Sequence, residues 1–511
     1  MMGSISGSST ANAVTTGTFT IPLMKRVGFK PHVAGGVEVA ASSSGQFLPP
    51  IMGAAAFIMA EMTNIPYLEI IKSALIPAIL SYVAILFMVH FEASKNGITG
   101  MAKSELVSGR KLLVQQGYLI IPILVLMYFL VIERRSIFNA AFFAIIAVLV
   151  IAFFAHRFRE RIGRSLLYAG GLCLLTFGLQ FSIDSINGLL NQVNRSFFGG
   201  QFIRWHSDIS LMVVLGIVVA VSFALLHKKF KTEGTPLRYG LKQLLAGLEL
   251  AARNSLSVAV ACATAGILIG VLQLSGLNTK FTRIVMSYSE GIVDFLPAFL
   301  VFEHTQLYVA LVLTVFACLI LGLGLPTTAT YIVLAATVAP ALVGLGLPVL
   351  TAHLFVLYYG VLADDTPPIN LPAYAAAGIA NAGPLKTGVQ GFKFDSGALL
   401  LPFAFVANPN LLLLETSTPW YTVLWSIVTA TVGIVLFASF IQNWLIARYN
   451  GLERTMALIS ALTLIHSSWV TDVVGIGVLA TLAGTQFYRT RGPKLPLTGV
   501  AQPVEGHEVS K

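Results

Sequence analysis

Two adjacent carboxylates, Asp364 and Asp365, stand directly before Thr366 and the double proline Pro367-Pro368, inside the apolar stretch GVLADDTPPINLPAYAAAGIA of residues 360–380. A carboxylate at membrane depth is costly and by default marks a place where a cation or a proton is handled. Proline has no N–H and clashes with the preceding turn, so the double proline should break its helix. The break frees carbonyl and N–H groups that lipid cannot satisfy, and such backbone survives only when buried in protein or lining a polar cavity. Two readings stay open for the aspartates: ligands of a cation or proton, or caps of a helix end near water.

The same punctuation occurs twice. Sliding the chain against itself by 318 residues lays 4–66 over 322–384, with 10 of 63 positions identical. The coincidences fall on helix breakers: Pro22 with Pro340, Gly28 with Gly346, Pro49-Pro50-Ile51 with Pro367-Pro368-Ile369, and Pro66 with Pro384. Interrupted apolar segments at matching places in two halves point to a transporter binding site. Each half reads as a Gly/Ser/Thr tip (SGSSTAN at 6–12, GLGLPTTAT at 322–330), a helical arm, a turn, and a segment interrupted at GQFLPP (45–50) or DDTPP (364–368). Carbonyls at half-helix C-termini suit cations, glycine permits close approach and hydroxyls add neutral oxygens. Ser6, Gly7, Ser8 and Ser9 facing Ser43, Ser44 and Gly45 would cage one small cation. Gly322, Gly324, Thr327 and Thr328 facing Gly360, Asp364, Asp365 and Thr366 would cage a second. The competing use of such small residues is close helix packing.

The elements that must hold these groups are membrane spans. Of 511 residues 56% are apolar and 11% charged, against about 45–50% and about 25% for a soluble domain. Windows 67–91, 118–132, 136–155, 209–226, 256–274, 305–321, 397–414 and 420–441 approach the roughly 20 apolar residues a spanning helix needs. The chain is thus an all-α polytopic membrane protein with the lipid bilayer as its surroundings. Its net charge of +10 does not indicate nucleic acid: loops 92–117, 156–164 and 227–242 carry four, four and five Lys or Arg, the alternate loops 133–135 and 191–208 two each. That is the positive-inside bias, with the richer loops cytoplasmic and a basic cytoplasmic tail at 487–494. Cys173, Cys262 and Cys318 show no CxxC spacing, and His90 and His353 stand alone. No HExxH, GxSxG or GxxxxGK[ST] occurs, which argues against an enzyme and against ATP-driven transport. The start, MMGSISGSSTANAV, lacks the basic and apolar regions of a signal peptide.

The stretches GSISGSSTANAVTTGTFTIPLMKRVGFKPHVAGGVEVAASSSGQFLPPIMGAAAFIMAE and LGLGLPTTATYIVLAATVAPALVGLGLPVLTAHLFVLYYGVLADDTPPINLPAYAAAGIANA, together with 238–277, resemble the large membrane subunit of TRAP transporters over most of residues 4–416. The pair of extra helices expected after residue 418 resembles the fused-permease branch served by TAXI-type binding proteins. The resemblance implies an elevator-type fold of the ion-transporter superfamily, with two inverted repeats, re-entrant hairpins and broken helices. It implies Na+ as coupling ion, no cofactor, a periplasmic substrate-binding protein of TAXI type as partner, an organic acid as cargo and a cytoplasmic (inner) membrane location in a bacterium or archaeon. The family's cation role would fall on Ser8, Ser44, Gly45, Gly324, Thr327 and Thr366, and substrate contact on Thr10, Asn12 and Thr328. The domains would be 1–91 (first repeat), 92–237 (connecting scaffold), 238–416 (second repeat) and 417–511 (extra helices and tail).

The chain also departs from that pattern. An arm leading into the first tip, earlier spans and a small four-helix domain or subunit are expected and lie outside this sequence, as in an N-terminally truncated permease, a split one or a remnant. The Asp364-Asp365 pair is more acidic than the resemblance implies, and 289–305 is longer than the usual link into the second hairpin. A binding-protein-independent Na+ or H+ symporter is the alternative function.

Overall fold

The computed structural model describes residues 2–101, 108–109, 117–135, 137–158, 236–298, 301, 304–414, 418–466 and 468–491. The window 209–226, Cys173 and most of the basic loops lie outside them. The chain divides into two compact units, residues 1–100 with 261–511, and residues 101–260.

Among the described residues every regular element is a helix. In the first unit they are α1 (Met2–Ser6), α2 (Ser9–Arg26), α3 (Pro31–Ser44), α4 (Ala55–Thr63) and α5 (Tyr67–Lys95). The second unit holds α6 (Ile121–Met127), continued by a π-helical turn over Tyr128–Ile132, then α7 (Ile137–Phe158) and the beginning of α8 (Pro236–Leu274). There α6 packs on α7, with Phe129 stacked on Phe143 at 4.2 Å between ring centroids. The first unit resumes within α8 and continues through α9 (Leu277–Phe295), α10 (Thr305–Gly322), α11 (Thr327–Thr337), α12 (Ala339–Gly344), α13 (Val349–Asp364) and α14 (Leu371–Ala380). It closes with α15 (Pro384–Phe394), α16 (Ser396–Ala407), α17 (Trp420–Gln442), α18 (Gly451–Ile465) and α19 (Trp469–Arg491).

Among the described residues, five stretches are long and apolar enough to cross a bilayer: Tyr67–Lys95, Thr305–Gly322, Thr327–Gly344, Trp420–Gln442 and Trp469–Thr490. Two of these, 327–344 and 469–490, were not among the windows read from composition, because threonine and glycine lower their hydropathy. The window 397–414 is instead the short α16, a turn of 3-10 helix over Pro409–Leu412 and a loop.

The 318-residue repeat is visible in the element boundaries. Adding 318 carries the first residue of α2 onto that of α11, the first of α3 onto that of α13, and the first residues of α4 and α5 to within two residues of those of α14 and α15. In both copies the broken helix stops just before the Pro-Pro pair and restarts after it, and both Pro-Pro bonds are cis. The copies differ where the chain is asked to bend. The counterpart of the unbroken α2 divides at Val338 into α11 and α12. The counterpart of the 29-residue α5 divides at Asp395 into α15 and α16, opposite Pro77 of the first copy.

The copies interlock. Helix α14 of the second packs against α2 and α3 of the first, and α15 packs along α3. Ile21, Ala34, Val39, Ala373, Ala376 and Ala380 form one buried cluster at this junction. Small residues allow the approach: a Cβ on Gly36 would stand 2.9 Å from the Gly391 nitrogen. Polar bonds fasten the seam, with Lys25 Nζ donating to the Ala380 carbonyl at 2.8 Å, capping the end of α14. At the far side α17 runs between α5 and α18; Gln442 donates to the Met88 carbonyl at 3.0 Å and accepts from Lys393 Nζ at 2.6 Å.

The α17–α18 crossing turns on Gly433, where a Cβ would meet the Ala461 carbonyl oxygen at 2.9 Å and Ile465 Cγ1 at 2.8 Å. Overpacking of this kind costs about 1–3 kcal/mol. Gly433→Ala should therefore lower the thermal midpoint of the detergent-purified chain by several degrees. Gly477→Ala, at a helical glycine with nothing within 4 Å, should leave it unchanged or slightly raised, since alanine is the better helix former. Differential scanning fluorimetry reads both.

Candidate functional site

The chemistry gathers where the two tips meet the two breaks. In the first copy the tip is the pair Gly7-Ser8 between α1 and α2. Gly7 takes φ of +61°, a conformation open to glycine without a Cβ penalty. Ser8 caps α2, its Oγ accepting from the Ala11 N–H at 3.3 Å. Ser6 is exposed and donates to the Ser8 carbonyl at 3.3 Å. The tip lies against the broken segment backbone to backbone: a Cβ on Gly45 would stand 2.7 Å from Gly3 Cα, and one on Gly53 3.0 Å from Gly7 Cα. The Gly53 N–H donates to the Ser4 carbonyl at 3.2 Å. Gly3 of α1 thus faces Ser42 and Gly45 while Ser4 reaches Gly53, roles the tip motif SGS did not suggest.

In the second copy the tip is Leu323–Pro326, with Gly324 at φ of +74°. A Cβ on Gly322 would meet Ala363 Cβ at 2.5 Å and Thr330 Cγ2 at 2.7 Å, and one on Gly360 would meet the same methyl at 3.4 Å. Gly322 and Gly360 therefore provide the close fit of tip on broken helix. Thr327 and Thr328 are buried at the start of α11. Thr366 Oγ1 is half-buried and donates to the Leu362 carbonyl at 2.8 Å.

Each copy's polar groups reach into the other. Ser9, first residue of α2, donates its hydroxyl to Asp364 Oδ2, at the end of α13. Ser44, last residue of α3, donates to Asp395 Oδ1 at 2.7 Å and pairs with Ser81 Oγ at 3.1 Å. Ser43 lies beside Asp365, which in turn lies against Asp395. The residues assigned from sequence to two separate cages are therefore partly drawn together: Ser9 with Asp364, and Ser43 and Ser44 with Asp365 and Asp395. Of the residues assigned to substrate, Thr10 is half-buried, Thr328 is buried, and Asn12 is buried beside Gly3 with its Oδ1 unpartnered.

The aspartates stand at the C-terminal end of α13, with Asp365 at its C-cap position, but they are away from water and do not cap the helix that follows. Asp364 is 6% exposed, Asp365 is fully buried, and neither Asp365 oxygen accepts a hydrogen bond of good geometry. The cap of α14 is Asn370, whose Oδ1 accepts from the Ala373 N–H at 2.8 Å while Nδ2 donates to the Asp365 carbonyl at 2.5 Å. Glu38, in the middle of α3, is a further buried carboxylate; it accepts from the hydroxyls of Thr16 and Thr20 on α2. Sequence reasoning missed Asn370, Asp395, Ser81 and Glu38. A signal existed for Asp395, which falls opposite Pro77 under the 318-residue shift. His353 bonds the Tyr331 hydroxyl at 2.8 Å through Nδ1 and joins α13 to α11 away from this group. No set of three or more His, Cys, Asp or Glu side chains arranged for a metal exists among the described residues.

Duplicated tips, duplicated broken helices and polar groups buried between apolar spans define a polytopic membrane carrier. The family model described as "Tripartite ATP-independent periplasmic transporter, DctM component" matches residues 1–194 and 209–420, and the chain belongs to that family. It is thus the permease component of a tripartite, ATP-independent periplasmic transporter, a family that implies a periplasmic binding protein and a small membrane subunit as partners. No curated protein matches the chain.

Asn370 both caps α14 and ties down the Asp365 carbonyl, and loss of a helix cap alone costs about 0.5–2 kcal/mol. Asn370→Ala should lower the thermal midpoint by several degrees. Asn370→Asp, which keeps the acceptor for Ala373 and loses the donor to Asp365, should recover only part of that loss.

Proposed function

We propose that this chain moves an organic acid across the cytoplasmic membrane in step with sodium ions, the acid being delivered by a periplasmic binding protein of TAXI type. The carrying observation is the pair of glycine-hinged tips, each lying on a helix that breaks beside it. At each break a helix C-terminus presents carbonyls with a partial negative charge, which favours a cation. In the first copy the cation lies among Ser8, Ser44 and Gly45; in the second, among Gly324, Thr327 and Thr366. The acid binds between the tips, in reach of Thr10, Asn12 and Thr328. The transport domain, built from both copies, slides as an elevator against the remaining helices. Among the described residues three helices follow residue 418 where a pair was expected, and two of them, α17 and α19, are long and apolar enough to span, which supports placement in the fused branch.

The test is uptake into proteoliposomes holding this chain and a small membrane subunit, with a TAXI-type periplasmic binding protein of the same cell supplied outside. The cargo is the acid that copurifies with that binding protein, identified by mass spectrometry and then radiolabelled. Uptake should require both the binding protein and an inward sodium gradient, and should proceed without ATP. Equal uptake when choline replaces sodium would refute the coupling. A Cβ at Gly45 would press on Gly3 Cα and part the first tip from its break, so Gly45→Ala should raise the sodium concentration for half-maximal uptake at least tenfold.

A further inference from the structure

Buried polar atoms are nearly always hydrogen-bonded, and each exception calls for an explanation. Here exceptions collect in one place. Ser43 Oγ, the Tyr358 hydroxyl, Asp365 Oδ1, Asp365 Oδ2 and Asp395 Oδ2 make no hydrogen bond of good geometry, although Ser43 and Asp395 lie within reach of Asp365, and all four residues are fully buried. Ser43 and Asp395 are the polar neighbours of Asp365, and the Tyr358 ring lies close enough to Asp395 to feel its charge. Behind them Ser44 bridges Asp395 and Ser81. Phe47 stacks on Tyr358 with ring centroids 3.9 Å apart, forming an apolar wall.

The charge is as unbalanced as the hydrogen bonding. Among the described residues no Lys, Arg or His forms an ion pair with Asp364, Asp365 or Asp395. Asp364 ends α13 and Asp365 is its C-cap, the end where the helix dipole disfavours a carboxylate and favours a cation. Turning the Ser43 and Tyr358 hydroxyls to donate, and sharing one proton between Asp365 and Asp395, would satisfy the hydrogen bonds and still leave one buried negative charge at the C-terminal end of α13 without a counter-charge. Burying such charge unpaired is prohibitively costly. The donors are all oxygens, carboxylate and hydroxyl, which is the ligand set of a hard cation.

We propose that Asp365, Asp395, Ser43 and the Tyr358 hydroxyl bind a sodium ion at a site additional to the two tip sites, with Ser44 and Ser81 holding Asp395 in place. The site draws on both repeat copies and on the α15–α16 junction, so it is complete only when the ends of α3 and α13 lie together. Its choice of ion rests on the sodium coupling read above.

Equilibrium binding of radioactive sodium to the full chain in detergent tests this without cargo or binding protein. Asp395→Asn and Asp365→Asn should each remove one and the same sodium equivalent, so that the double variant loses no more than either alone. Gly45→Ala should weaken a different equivalent. Tyr358→Phe, which keeps the ring against Phe47, should weaken the affected equivalent at least threefold and serves if an aspartate variant does not fold. Sodium counts and affinities in the Asp365, Asp395 and Tyr358 variants equal to the parent's, with Gly45→Ala still weakened, would overturn the additional site and leave the tip sites standing. A parent chain that binds no sodium would overturn both.

Discussion

Everything in this fold follows from one constraint: a helix that stops inside a bilayer must have its freed backbone groups answered by protein. The chain meets it by bringing backbone to backbone. Gly3 against Gly45, Gly7 against Gly53 and Gly322 against Ala363 leave no space for lipid or side chains between a tip and its broken helix. Where backbone does not suffice, a side chain is recruited, as Asn370 is for both the α14 terminus and the Asp365 carbonyl. The cost of interrupting two helices is thus offset locally, and what remains unanswered is concentrated at their C-terminal ends. A carrier needs its binding groups there, buried enough to discriminate and irregular enough to offer carbonyls and carboxylates at once.

Much of this was legible in the sequence because helix breakers are informative at membrane depth. The matched Pro-Pro-Ile triplets predicted two interrupted helices at a spacing of 318, and the helix boundaries carry the same spacing. Glycines in the tips marked the close approaches, although the partner of Gly45 is Gly3 of α1. Compositional windows found the strongly apolar spans and passed over 327–344 and 469–490, where threonine and glycine dilute hydropathy without preventing a buried helix.

The site was read less completely, for a physical reason. Sequence spacing reports neighbours along one helix, and two cages were accordingly drawn, each within one repeat. The structure crosses them, because the copies interlock through α14 and α15. Ser9 reaches Asp364, and Ser44 reaches Asp395, which looked like an unremarked acid between two apolar stretches. Residues whose importance comes from a long-range partner, such as Glu38 beneath Thr16 and Thr20, leave no local pattern to find.

The length of those cross-links bears on how the protein comes into being. Ser9 to Asp364, Lys25 to Ala380, Ser44 to Asp395 and Gln442 to Met88 join residues 351 to 355 positions apart. At a synthesis rate of about 5–20 residues per second, the first half waits roughly 20–70 s for its partners to leave the ribosome. During that interval Ser9, Ser44 and the end of α14's future docking face sit at membrane depth with their native partners not yet made. Until the second half emerges, the carrier is half-built and its polar seams stay open, and any shelter from the insertion machinery would act in that interval.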